Sequence, residues 1–161
     1  MDELKLQAQV VRAVLDHDGY ARKLSSFHTI GIPDLVVKLP FLPVGFIECK
    51  MNPMPVRKQH VKLKVTPLQA QTLQEMTDSD ILCGIMSFLT DEKRIGLLIH
   101  RVTPGQTFRS LVDLQVLTAT HLYYSVQDRQ LGIYNVLAEF FKKEAANEEW
   151  KRPGRTAGRT R

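Results

Sequence analysis

Asp34, Glu48 and Lys50 are of the residue types that handle phosphate chemistry, and they lie in one short stretch, GIPDLVVKLPFLPVGFIECK, Gly31 to Lys50. Their flanks are runs of Val, Ile, Leu and Phe, which normally exclude charge. Burying a carboxylate costs on the order of several kcal/mol unless it is paired or ligates a metal. LVVKL after Asp34 and VGFI before Glu48 predict two strands, joined through Pro40–Pro43 into a hairpin. Side chains alternate across a strand, so Glu48 and Lys50 share one face and Cys49 takes the other. With Asp34 opposite, two carboxylates and an ammonium converge on one spot, where they can hold a divalent cation against a phosphate. Glu and Lys on one strand face also pair at ordinary surfaces, but Phe46 and Ile47 beside them argue against a solvated position.

The neighbouring elements must position this cluster. Asp2–Leu15 predicts a helix with Leu4, Ala8, Val11 and Leu15 as its apolar stripe and Gly19 in the exit turn. Glu3 and Gln7 flank that stripe and can reach a site beside the core, although a first-turn acid also simply suits the helix dipole. Tyr20–Ser26 predicts a strand and Phe27–Ile32 a connection. Thr66-Pro67 is a helix start, with Gln69 completing a Thr-x-x-Gln capping box. Gln69 also shares a helical face with Leu73 and Met76, which aims it at the sheet. Asp80–Leu89 predicts a buried strand and Ile95–Ile99 a further one, whereas 111–117 and 130–149 look helical. In the last segment Tyr134, Leu137, Ala138 and Phe141 form an apolar stripe, read as core packing with a dimer interface as the alternative. The order is helix, three strands, helix, strand.

Pro33-Asp34 followed by Glu48-x-Lys50 resembles the PD-(D/E)xK nucleases, and within them the VRR-NUC group and related Holliday-junction resolvases. Glu3 in an opening helix, Gly31-Ile32-Pro33-Asp34 and Thr66-Pro67-Leu68-Gln69 extend the resemblance, which covers 2–89. It implies an α/β restriction-endonuclease-like core (αβββαβ, a mixed sheet flanked by helices) in one domain of 1–150, with 90–150 as a helical extension. Under it, Asp34, Glu48 and the backbone carbonyl of Cys49 ligate magnesium, which manganese can replace. Glu3 assists through a second metal or a bound water. Lys50 orients the attacking hydroxide and offsets transition-state charge, and Gln69 joins the catalytic set. The implied activity is endonucleolytic hydrolysis of DNA, with a branched, junction-like substrate that suits a homodimer. A general or nicking nuclease in repair or phage DNA processing, and a non-catalytic DNA-binding module on the same fold, are the alternatives.

Charge supports a nucleic-acid partner. The net charge is +5, and the last eleven residues, KRPGRTAGRTR, hold five Lys or Arg and no acid. Without that segment, 17 basic residues face 17 acidic ones, so 1–150 is formally neutral. The 151–161 tail is expected to be disordered and able to bind phosphates. From Lys50 to Gln74 there is again no acid, and Arg57, Lys58, Lys62 and Lys64 follow directly on the site, either as a phosphate-contacting loop or as a solvated face. Lys23 and Lys38 are further backbone-contact candidates, Lys38 by sharing the strand parity of Asp34. Ser25, Ser26 and His28 make no Ser-His-Asp arrangement, and His28 reads as a loop or substrate contact. Cys49 and Cys83 lie in apolar runs without zinc spacing and are expected as small buried hydrophobes. No apolar run approaches membrane-spanning length, and MDELKLQAQ is too polar for a signal peptide, so a cytoplasmic protein is expected, in the host cytoplasm if phage-encoded.

Overall fold

The computed structural model describes residues 2–24, 30–53, 60–91, 95–105, 115–117, 122–124 and 129–147. In chain order these form α1 (Glu3–Leu15), β1 (Tyr20–Lys23), β2 (Leu35–Lys38), β3 (Val44–Pro53), β4 (His60–Lys62), α2 (Pro67–Asp78), β5 (Cys83–Thr90), β6 (Ile95–Arg101), β7 (Gln115–Leu117), β8 (Leu122–Tyr124) and α3 (Arg129–Ala146). A mixed sheet runs β1-β2-β3-β5-β6-β8, and β4 pairs with β7 in a separate ribbon. β2 and β3 are the expected antiparallel hairpin, with Leu35 opposite Ile47. β3 and β5 are parallel, with Glu48 opposite Ile85 and Lys50 opposite Ser87. A parallel pair needs a long crossover, and the chain from Pro53 to Cys83, including α2, supplies it.

The sheet is packed on both faces. On one, Leu6, Val10, Ala13 and Val14 of α1 and Ile133, Leu137 and Phe141 of α3 meet Leu35, Val37, Ile47, Cys49, Met86 and Phe88. Here β3 and α3 approach so closely that only glycine fits at position 45: a Cβ there would lie 2.6 Å from Phe141 Cε1. On the other face, Ala70 and Leu73 of α2 pack on Ile85, Leu89 and Leu98, together with Leu63 and Val65.

Three expectations need correction. The buried face of α1 is Leu6, Gln7, Val10, Ala13 and Val14, while Leu4 (61% exposed) and Leu15 (51%) face solvent. Two apolar stripes at helical spacing coexist in this helix, and the branched Val10 and Val14 with Leu6 fill the space over the sheet. This rotation also turns Gln7 inward. Second, 115–117 is a strand, not a helix, because its backbone pairs with His60–Lys62. A short apolar run fits both periods, and only its pairing partner decides. Third, the region after β5 contributes three strands as well as a helix, and β6 and β8 extend the main sheet. The basic tail and positions 148–150 lie outside the described residues.

Candidate active site

Asp34 lies just before β2, held from both sides. Its carbonyl accepts from the Leu24 amide at 2.8 Å, and its Oδ2 accepts from the Cys49 amide at 2.8 Å. Pro33 precedes it and fixes its own φ in the bend that leads into the strand. Glu48, in the middle of β3, is only 1% exposed, and its Oε1 accepts from Lys50 Nζ at 2.9 Å and from Gln69 Nε2 at 2.5 Å. Lys50 Nζ also donates to Gln69 Oε1 at 3.0 Å. That same Oε1 accepts from the Thr66 amide at 3.1 Å, and Thr66 Oγ1 accepts from the Gln69 amide at 3.3 Å. The expected capping box is therefore present, and Gln69 serves two roles at once: it closes the first turn of α2 and ties that turn to both charged residues of β3.

The electrostatics are those of a site short of positive charge. Burial, with Asp34 adding to it against the pull of Lys50, raises the Glu48 carboxyl to about 7. Burial also raises Glu3, with Lys50 opposing and Asp34 reinforcing, which places Glu3 in the field of the cluster. Glu48 Oε2 is buried without a hydrogen-bond partner among the described residues. An orphaned carboxylate oxygen with raised proton affinity is the environment that a cation relieves. Among the described residues, no three His, Cys, Asp or Glu side chains form a group that could hold a metal. A cation placed here would have the carboxylates of Asp34 and Glu48 to rest on and would need carbonyl and water oxygens to complete its shell, a ligand set that suits magnesium. The Cys49 thiol points into the opposite core, and burial pushes its pKa well up, so only its backbone is available to such an ion. Cys83 is likewise a free, buried thiol, as expected.

Asp34, Glu48, Lys50, Gln69 and, through its field, Glu3 are thus brought together, whereas the expected phosphate-contacting lysines scatter. Lys23 is exposed at the end of β1 opposite Leu35, close to Asp34. Lys38 keeps the strand parity of Asp34 but sits four residues further along, about 13 Å away at 3.3 Å per residue, and its ammonium donates to the Leu39 carbonyl at 2.8 Å. Lys62 and Lys64 are exposed and alternate with the buried Leu63 and Val65. Arg57, Lys58, Ser25, Ser26 and His28 lie outside the described residues.

One polar pair escaped the sequence reading. Asn52 (4% exposed) donates to the hydroxyl of Ser87 (0%), on the same face of the sheet as Glu48 and Lys50. Their signal was strand parity, had β3 been extended past Lys50. Gln7, which the sequence reading set beside the core with Glu3, is 3% exposed, and its Oε1 has no partner among the described residues. Comparison with known proteins adds no relative: no family model matches the chain, and no curated protein matches it.

Proposed function

We propose that this chain is a divalent-metal-dependent DNA endonuclease with a PD-(D/E)xK core, acting on branched DNA. The observation that carries the reading is the buried cluster itself: Lys50 Nζ and the Gln69 amide both on Glu48 Oε1, with Oε2 unpartnered and Asp34 held across the hairpin. The carboxylate oxygens of a buried structural ion pair are as a rule hydrogen-bonded. The mixed sheet with α1 and α2 on opposite faces, entered in the order helix, three strands, helix, strand, agrees with the restriction-endonuclease-like core once β4 is counted as an insertion.

Asp34, Glu48 and the Cys49 carbonyl would hold magnesium or manganese, with Glu3 at the margin. When bound, such an ion supplies Lewis acidity and lowers the pKa of coordinated water. Lys50 offsets the negative charge that grows on the phosphate oxygens and orients the attacking water. Gln69 fixes the Lys50 ammonium and the Glu48 carboxylate relative to one another, so neither must reorganise when charge develops. The Asp34–Cys49 bond locks the hairpin that carries both acids.

The test is cleavage of a labelled four-way junction beside linear duplex and single strand, with magnesium or chelator, for wild type and Lys50→Ala. Paired, magnesium-dependent cuts on the junction, lost in the variant, are expected. Equal cutting of all substrates would make it a general nuclease. Metal-independent binding without cleavage would make it a DNA-binding module.

A further inference from the structure

Three exposed apolar side chains lie within four residues of cluster members along the chain. Ile30 (79% exposed), Ile32 (40%) and Leu68 (44%) are large hydrophobic side chains left in solvent. Single exposed apolar residues are ordinary, but these come from two segments that touch each other at Gly31 and Leu68. Gly31, between the isoleucines, has φ +90°, and a Cβ there would lie 2.8 Å from Leu68 Cγ and 3.1 Å from Thr72 Oγ1. The 30–32 loop therefore rests directly on the first turns of α2. Pro33 and Asp34 continue from Ile32, and Gln69, bonded to Glu48 and Lys50, follows Leu68. Each side chain of this rim is thus one to four residues from a member of the ionic cluster.

We propose that this rim grips the face of an unpaired base beside the phosphate held at the cluster, so that the site takes a nucleotide splayed from the duplex. The inference rests on the nuclease reading and adds how that site selects its substrate. The chemistry follows from the two halves of a nucleotide. Phosphate seeks Lys50 and the site cation, and aliphatic side chains have nothing to offer it. The base, one sugar away, has an apolar face that gains by leaving water. In intact duplex that face is covered by stacked neighbours and only base edges are presented. An unpaired base exposes it, and contacts to base faces tolerate sequence because every base has one. Two exposed isoleucines within four residues of Asp34, on a loop that packs through Gly31 against α2, suit that occupant.

Three measurements on the full chain test this. The first is fluorescence anisotropy, in chelator, of a labelled single strand and of the same strand with a central run of abasic positions. The proteins are wild type, Ile30→Ser/Ile32→Ser and Leu68→Gln. The second is magnesium-dependent cleavage by wild type on both strands. The third is sedimentation of each protein. Wild type should bind the base-bearing strand about tenfold tighter than the abasic one, the scale of burying one branched aliphatic side chain. The double variant should lose that preference while its abasic binding stays within about twofold, and Leu68→Gln should lose part of it. Equal wild-type affinity for the two strands overturns the proposal, and if cleavage persists the nuclease reading survives it. Base preference that depends on the rim, with no cleavage of any strand, supports base gripping and removes the nuclease reading instead. A change of oligomeric state in the variants, with base preference unchanged, assigns the rim to contact between copies and overturns the proposal.

Discussion

β3 carries opposite chemistries on its two sides. Toward α1 and α3 it presents Gly45, Ile47 and Cys49, all buried, against Phe141, Leu137 and Leu6. Toward α2 it presents Phe46, Glu48, Lys50 and Asn52, with a salt bridge, an amide bridge and an unpartnered carboxylate oxygen. The first face gains stability from every atom it removes from water. The second gives up some of that gain to hold charges, with the Lys50 side chain left 11% exposed. One strand serves both because side chains alternate, so a slip of one residue would exchange the core for the ionic cluster.

The sharpest way to break the contrast is chemical. Lys50→Ala should lower kcat/KM on the preferred DNA by roughly 10³-fold or more, the scale of removing a transition-state charge partner, with an unchanged far-ultraviolet spectrum. Cleavage within tenfold of wild type would show that the α2 face is not the catalytic one. On the closed face, Phe141→Ala should cost about 3–5 kcal/mol in urea unfolding, because a fully buried ring packs on Gly45. A cost below 1 kcal/mol, well under that range, would show that this side is no more tightly packed than the other.

Glu48→Gln sharpens the comparison from the stability side. The carboxyl is at about 7 in the fold against 4.5 for the unperturbed group, so the folded chain binds the extra proton. Stability from this group is full below about 4.5 and is lost as pH rises through about 7. Without added metal at pH 8, Glu48→Gln should therefore be more stable than wild type, on the order of 2 kcal/mol, and the difference should vanish at pH 4. Magnesium should raise the Tm of wild type and not of the variant. A variant less stable than wild type at pH 8 would mean that the Lys50 pair outweighs burial. The smallest effect is expected for Thr66→Ala, about 1 kcal/mol from the lost cap, with a measurable fall in activity as Gln69 loses its anchor. Unchanged activity there would separate capping from the site.

The hairpin, its parity and the α2 start were readable because each depends on local rules: strand alternation, proline's φ, and the reach of a Thr-x-x-Gln pair. Even the double role of Gln69 showed, since the capping position and the inward helical face coincide at that residue. The rotation of α1 did not, because Leu4-Ala8-Val11-Leu15 and Leu6-Val10-Ala13-Val14 are equally good stripes until a sheet and α3 compete for one of them. Nor did β7, whose strand state exists only through its pairing with β4.

The chain alone determined which residues could act, since Asp34, Glu48 and Lys50 are ionisable groups set among apolar neighbours and strand parity orders two of them. Tertiary structure decided which of them meet. The β2–β3 register brings Asp34 to the Cys49 amide, and the β3–β5 crossover swings Gln69 over Glu48. The same crossover lays the 30–32 loop on Leu68, while Lys38, of the right parity, is left at the far end of β2. Parity is a property of one strand, whereas convergence depends on distances between strands and helices that only packing sets.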